Sequence, residues 1–185
     1  MLRLPGWVED LAGDSDRVYN NAEERMRFAV ELSRTNVERG VGGPFGAAIF
    51  DRVSNRHVAP AVNIVVAANC SVAHAEIMAI MIAQQVVGSF DLEGETRPPY
   101  ELVASTETCA MCLGAIPWSG ARYLVCGARG EDAEGIGFNE GTKPSGWEAP
   151  LKTAASPSHG MYAAMRPRPF SGSMPRRAAR FIDAC

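Results

Sequence analysis

Two cysteines, Cys109 and Cys112, stand three residues apart at a point where the sequence predicts that a strand passes into a helix. Side chains at i and i+3 in the first turn of a helix point to the same side, so two thiolates there can bind one soft cation. The positive end of the helix dipole also favours the ionised form of both thiols. Because thiol–disulfide enzymes use the same C-x-x-C spacing, a third ligand is needed to distinguish the two chemistries.

His74 is the candidate for that third ligand. It stands two residues before Glu76 at the start of an otherwise apolar segment, where an ionisable pair needs a specific role. With three protein ligands, a tetrahedral zinc keeps its fourth position for water, as catalytic sites do and structural sites do not. Zinc would lower the pKa of that water to about 7, and Glu76 would carry the released proton. A structural zinc, a reduced cysteine pair in the core and a zinc-free redox pair stay open as alternatives.

The elements that must position these residues alternate between helix and strand. The residue pattern predicts an amphipathic helix, a two-stranded hairpin, a second helix that is apolar nearly all round, and then a unit of strand, helix and strand. Pro60 places the second hairpin strand at a sheet edge or beside a bulge. An acidic, glycine-rich stretch with one short helix follows. These segments span residues 21–38, 40–51, 57–67, 73–87, 101–106, 108–120, 121–128 and 129–150.

Composition and charge narrow the class of protein. The 185 residues are about the size of one domain, and no apolar run approaches the roughly 20 residues that cross a bilayer. Without a predicted export signal, we expect a cytoplasmic protein whose five cysteines are thiols or metal ligands. Residues 1–149 hold 12 basic and 20 acidic residues, which argues against a nucleic-acid groove there, whereas residues 150–185 hold 6 basic and 1 acidic.

Six short segments occur in an order that resembles a known family. They are P-F-G-A at 44–47, Asn63 eleven residues before His74, H-A-E-I-M-A at 74–79, T-E-T-C-A-M-C at 106–112, L-G-A-I-P-W at 113–118 and I-G-F-N-E-G at 136–141. An H-x-E segment followed by C-x-x-C is the signature of zinc-dependent base deaminases. The chain therefore resembles the cytidine deaminase superfamily, and within it most closely the guanine deaminases, with the tRNA adenosine deaminases sharing their fold.

This resemblance implies an architecture. We expect residues 1–150 to form a three-layer α/β/α domain around a mixed five-stranded sheet, with one zinc ion per subunit and a homodimeric assembly. Residues 151–185 form a separate basic, proline-rich tail in which no segment matches the one that closes the pocket in guanine deaminases. Thr108 stands where the family usually has proline, and we expect it to cap the helix that carries the cysteines.

The resemblance also assigns roles to residues. The family's zinc ligands fall on His74, Cys109 and Cys112, and its proton shuttle falls on Glu76. The positions that match its base-binding and second acidic groups are Asn63, the backbone amide of Ala75, the aromatic rings of Phe45 and Trp118, and the carboxyl group of Glu140. The alternatives are a turn or edge-strand residue for Asn63, a solvated loop acid for Glu140, and ordinary core aromatics for Phe45 and Trp118.

The function implied is hydrolytic removal of an exocyclic amine from a small nitrogen heterocycle. Conversion of guanine to xanthine and ammonia is the leading case. A tRNA adenosine deaminase and a cytosine or aminotriazine deaminase are the alternatives within the superfamily. A non-catalytic, zinc-stabilised interaction module is the alternative from another class, and it would hold its metal with four protein ligands.

Overall fold

The computed structural model describes residues 2–146, so the predicted tail at 151–185 lies outside the described residues. In chain order the elements are α1 (Trp7–Ala12), α2 (Ala22–Glu38), β1 (Gly46–Asp51), β2 (His57–Val62), α3 (Val65–Ala68), α4 (Ala75–Val87), β3 (Tyr100–Thr106), α5 (Ala110–Ser119), β4 (Tyr123–Ala128) and α6 (Gly130–Glu134). No helix in this part of the chain is long and apolar enough to cross a membrane.

The strands form one mixed sheet in the order β2, β1, β3, β4. The first two pairings are antiparallel and the third, between β3 and β4, is parallel, as expected for a strand, helix, strand connection through α5. The expectation of five strands is wrong for the described residues, which hold four. After β4 the chain turns into α6 and then into a stretch where Gly137, Gly141 and Gly146 have positive φ, a conformation that does not continue a strand.

Helices cover both faces of this sheet. Gly46 of β1 lies directly under α2, where a β carbon would collide with the backbone of Ala29 and Ser33. Phe50, on the same face of β1, packs edge-on against Phe28 of α2, with ring centroids 6.3 Å apart. Helix α4 also packs on β1 and β2 but has no extensive contact with α2, so it lies on the opposite face. The described residues thus have the expected three layers.

The hairpin of β1 and β2 agrees with its prediction except at its end. Within the described residues β2 is an edge strand, and the register shifts next to the pair of Ile49 and Ala59, beside Pro60. The prediction extended β2 to residue 67, which is wrong. The strand ends at Val62, and Val65–Ala68 form the short helix α3. The Asn63 carboxamide causes this turn, because its Oδ1 accepts a hydrogen bond from the Val65 amide at 3.2 Å.

A buried ion pair ties α2 to the start of β3. Arg25 Nε lies 2.6 Å from Glu101 Oε2, and both side chains are only 4% exposed. The same guanidinium donates to the Tyr19 carbonyl oxygen at 3.2 Å, and Arg52 reaches the other Glu101 oxygen at 3.2 Å. Glu101 is therefore the only carboxylate that the described residues place against Arg25.

Glu101→Ala is expected to destabilise the protein by about 3–5 kcal/mol, because it leaves the Arg25 charge buried without its partner. Urea unfolding followed by circular dichroism measures this loss. Glu38→Ala is the matched control, since Glu38 pairs with Arg34 on the exposed face of α2 and such pairs contribute about 0–1 kcal/mol. Equal effects of the two substitutions would contradict the prediction.

Candidate metal centre and active site

The N-termini of two helices carry the three predicted metal ligands. His74 is the N-cap residue of α4, and Cys109 is the N-cap residue of α5, with Cys112 in the first turn of α5. The His74 side chain makes no capping hydrogen bond to α4, and the Cys109 sulfur lies beside both His74 and Cys112. Thr108 does not cap α5 as predicted. It lies one residue too early, and its buried Oγ1 has no hydrogen-bond partner in the structure.

These three side chains meet in one place. The His74 Nδ1 atom lies 3.5 Å from the Cys109 sulfur and 3.7 Å from the Cys112 sulfur. All three potential ligand atoms lie within 4.8 Å of one another, and both cysteines are buried. In residues 2–146, these three side chains are the ones that lie close enough together to hold a metal ion.

The spacing of these atoms fits zinc. Tetrahedral bonds of about 2.3 Å to sulfur and about 2.0–2.1 Å to nitrogen place the nitrogen and sulfur atoms about 3.5–3.6 Å apart. The two measured separations, 3.5 and 3.7 Å, bracket that value. One imidazole and two thiols are also a donor set that zinc prefers, and they leave one tetrahedral position for a ligand that the protein does not supply. The residues present therefore fit a zinc ion.

The pKa values of the two thiols are shifted in opposite directions. The pKa of Cys109 is lowered to about 4, because Cys112 donates a hydrogen bond to its sulfur and His74 lies beside it. The pKa of Cys112 is raised, since its proton is held by the Cys109 sulfur and since it is buried. Without a metal the pair keeps one shared proton, and a bound divalent cation would allow both sulfurs to be thiolates.

Glu76 is a buried carboxyl group next to the His74 ligand. It lies in the first turn of α4, two residues after His74, and is 8% exposed. Burial raises the pKa of its carboxyl group, while hydrogen bonding to its own backbone and the neighbouring His74 and Cys112 side chains act against that shift. A buried carboxyl group with a raised pKa beside a metal-ligand set is suited to accept and return a proton.

Glu140 reaches the same place from the loop after α6. Its side chain is 6% exposed, and its Oε2 atom has no hydrogen-bond partner in the structure. Burial, followed by the negative charge at Cys109, raises the pKa of this carboxyl group to about 7. The nearby Glu76 charge also raises this pKa, whereas the His74 charge lowers it. The structure thus brings both predicted acids to the ligand group.

The predicted base-binding residues differ in their exposure and in the hydrogen-bond donors that they leave free. Asn63 follows β2 and is 7% exposed, and its Oδ1 already accepts from Val65, so its Nδ2 is the group that can donate to a ligand. Ala75 is the first residue of α4, where the backbone amide has no partner within the helix. Phe45 is half-buried. Trp118 is 86% exposed near the end of α5, apart from this group, and its role stays a prediction.

Two further residues of the site were not predicted. Phe138 packs edge-on against Phe45, with ring centroids 4.7 Å apart, so the two rings form one apolar surface. Asn36 is fully buried on α2, and its Nδ2 donates to the carbonyl oxygens of Gly43 (2.9 Å) and Asn63 (2.8 Å). Its position on the buried stripe of an amphipathic helix was the available signal, because a polar residue there needs hydrogen-bond partners.

The fold and the site together define a class of protein. An α/β domain in which a His-Cys-Cys group lies beside buried carboxyl groups is the arrangement of zinc-dependent hydrolytic deaminases of nitrogen heterocycles. Residues 19–128 match the family model of the cytidine and deoxycytidylate deaminase zinc-binding region. Because this match covers more than half of the chain, the protein belongs to that family.

Particular relatives are similar over most of the chain. Guanine deaminase of Bacillus subtilis (strain 168) is 37% identical over 120 residues, which are 65% of this chain and 72% of that enzyme. The tRNA-specific adenosine deaminase of the same strain is 32% identical over 103 residues, 56% of this chain and 59% of that enzyme. Guanine deaminase from Nitrosomonas europaea superposes with a TM-score of 0.81 at 37% identity, over 100% of this chain and 96% of that one. A mutant of NE0047 in complex with 8-azaguanine superposes with a TM-score of 0.78 at 42% identity, over 84% of this chain and 85% of that one.

Proposed function

We propose that this protein is a zinc-dependent guanine deaminase, which converts guanine and water to xanthine and ammonia. The observation that carries the proposal is the His-Cys-Cys group with its nitrogen to sulfur separations of 3.5 and 3.7 Å, placed beside two buried carboxyl groups. The substrate class is supported by the similarity to guanine deaminases at 37% identity. The complexes of NE0047 with 8-azaguanine and 2,6-diaminopurine also support a purine base.

In this proposal His74, Cys109 and Cys112 hold one zinc ion in each chain. Zinc bound there lowers the pKa of a water ligand and so supplies a nucleophile at neutral pH. Cys109, at the N-terminus of α5, has a lowered pKa, and a bound cation would allow Cys112 to lose its proton as well. Homodimeric assembly stays a prediction from the resemblance, and a cytoplasmic location stays a prediction from the sequence.

Glu76 and Glu140 divide the proton transfers. Two protons must be delivered, one to the ring nitrogen beside the amine-bearing carbon and one to the departing amine. Glu76 lies two residues after the His74 ligand, in the first turn of α4, and we assign it the first transfer, in which it accepts a proton from water and passes it to the ring nitrogen. Glu140, with a pKa of about 7 and an unpartnered Oε2, is suited to donate the second proton to the leaving amine, and the hydroxyl proton lost as the xanthine carbonyl forms would restore its protonated state.

The remaining residues hold and orient the base. The Asn63 Nδ2 group and the Ala75 backbone amide are donors that can face the acceptors on the purine edge. Phe45 and Phe138 supply an apolar surface against which a flat ring can pack. Asn36 donates a hydrogen bond to the Asn63 carbonyl oxygen at 2.8 Å and so helps to position the Asn63 side chain.

A substrate panel tests the proposal. Metal-replete protein is incubated with guanine, guanosine, adenine, cytosine, an aminotriazine and a tRNA with adenosine at the wobble position, and ammonia or inosine formation is measured. Guanine is expected to be turned over fastest. Preferred turnover of the tRNA adenosine would replace the proposal with its main alternative, and zinc-loaded protein that turns over nothing would favour an interaction module.

Asn63→Asp is expected to lower kcat/KM for guanine by about 10- to 100-fold. The substitution keeps the oxygen that accepts from Val65 but removes the donor, and an unpaired buried group costs about 1–3 kcal/mol. Steady-state kinetics measure the loss, with zinc content and melting temperature as checks on folding. An Asn63→Asp variant with wild-type kcat/KM would exclude Asn63 from base recognition.

A further inference from the structure

The loop that carries Glu140 has little regular structure to hold it. Between α6 and residue 146 the chain has no helix or strand, and Gly137, Gly141 and Gly146 all have positive φ. Yet the Glu140 side chain is buried with an oxygen that has no hydrogen-bond partner, and burial of such a group is unfavourable. Contacts elsewhere must therefore keep this loop in place over the metal-ligand group.

Two contacts join the loop to the segment that carries the cysteines. The Ala110 backbone amide, at the start of α5, donates to the Glu140 carbonyl oxygen at 2.9 Å. The Lys143 ammonium group lies 2.6 Å from the Glu107 Oε1 atom. Glu107 stands two residues before Cys109, and Lys143 stands three residues after Glu140. The ion pair therefore links the two parts of the chain next to the groups proposed to react.

The Glu107 carboxylate is itself well anchored. Its Oε2 accepts from the Gly130 amide at 3.3 Å, and its backbone amide donates to the Ala128 carbonyl oxygen at 2.7 Å, which extends the pairing of β3 with β4. The Lys143 and Glu107 side chains are 12% and 23% exposed, so water and salt screen them less than a surface pair. This pair can thus contribute more to the position of the loop than an exposed ion pair would.

We propose that the Glu107–Lys143 ion pair is a clasp that holds the 137–143 loop closed and so positions the Glu140 carboxyl group for proton donation. Both are positioning residues in this account, since neither is assigned a contact with the base. The role of Glu140 in proton donation rests on the proposed function. The closure of the loop by the clasp does not depend on that function. The positive charge of Lys143 also opposes the rise in the pKa of Glu140.

Hydrogen exchange on the zinc-loaded protein tests the clasp without any substrate. Lys143→Met keeps most of the side-chain volume and removes the charge, so amides of residues 137–143 and of Ala110 are expected to exchange at least tenfold faster than in the wild type. Arg34→Met, which removes an exposed charge on α2, is the control and should leave this loop unchanged. Wild-type exchange in Lys143→Met would overturn the proposal, whatever the substrate of the enzyme is.

Kinetics then test whether the clasp acts through Glu140. Lys143→Met is expected to lower kcat for guanine by about 10- to 100-fold, with a smaller change in KM and no loss of zinc, because misplacement of one catalytic group has effects of this size. Lys143→Arg should restore most of the rate. In a Glu140→Gln background, Lys143→Met should have less than about a threefold further effect, since the group it positions is already gone.

These outcomes separate the two proposals. If the wild type does not deaminate guanine, the proposed function fails, and the exchange data alone decide whether the clasp exists. If the wild type is active and Lys143→Met lowers kcat equally with and without Glu140, the positioning role is overturned. A loss of zinc in Lys143→Met would also overturn it, because the ion pair would then support the cysteine segment and not the loop.

Discussion

Glu76→Gln is expected to lower kcat for guanine deamination by about 10²- to 10⁴-fold while the protein keeps its zinc. The amide has the size of the carboxyl group but cannot accept and return a proton, and proton transfer by a positioned side chain is worth about that much. The Glu76 side chain is 8% exposed, so water cannot readily replace it. Ammonia release measures the rate, and metal analysis of the same sample measures the zinc.

Glu134→Gln is the matched control for this substitution. Glu134 lies on α6 with an exposed side chain, so the same chemical change there should leave kcat within about twofold of the wild type. A Glu76→Gln variant that retains a tenth or more of wild-type turnover would remove Glu76 from the mechanism. A variant that loses both zinc and activity would instead place Glu76 in the support of the metal ligands.

Cys112→Ser is expected to lose most of its zinc and to show no turnover above background. Serine replaces the soft thiolate with a hydroxyl group that remains protonated at neutral pH, which leaves only two good ligands. Cys112 is fully buried in the first turn of α5, and in the described residues no sulfur besides those of Cys109 and Cys112 joins the ligand group. Zinc per chain, measured by atomic absorption after extensive dialysis, gives the first readout, and ammonia release gives the second.

Cys70→Ser controls for the loss of a thiol. Cys70 is a half-buried free cysteine outside the ligand group, and its replacement should change neither zinc content nor rate. A strong chelator should abolish turnover by the wild type, and added zinc should restore it. Full zinc content in Cys112→Ser, or turnover that survives chelation, would contradict the metal assignment on which the proposed function depends.

Local sequence signals were sufficient for most of the elements. The amphipathic stripe placed α2 within one residue of its observed start, and Asn21 caps it by accepting from the Glu24 amide at 2.9 Å. Gly88 ends α4 in the left-handed conformation, as its position after the apolar run predicted. Both signals depend on residues that are near each other in the chain, so they can be recognised without knowledge of the tertiary fold.

Local signals failed where a side chain or a neighbouring element decided the outcome. The β-branched run after Asn63 predicts strand, but the Asn63 side chain caps a turn there and starts α3. Thr108 has the right chemistry for an N-cap, yet α5 begins one residue later because Cys109 takes that position. The short helix α1 was not predicted, since its six residues lie between Gly6 and Gly13 and show no long periodic pattern.

The sequence by itself determined the chemistry that is possible in this protein. The C-x-x-C spacing, the H-x-E spacing and the acid in the F-N-E-G segment depend only on residue types and helix periodicity, which the chain carries locally. Only the tertiary structure decided which of these residues meet. His74 reaches the two sulfurs because α4 and α5 begin next to each other, and Trp118 remains 86% exposed because α5 turns that side chain outward. Contacts between residues 35 positions apart depend on how the whole sheet packs, and a local pattern does not contain that information.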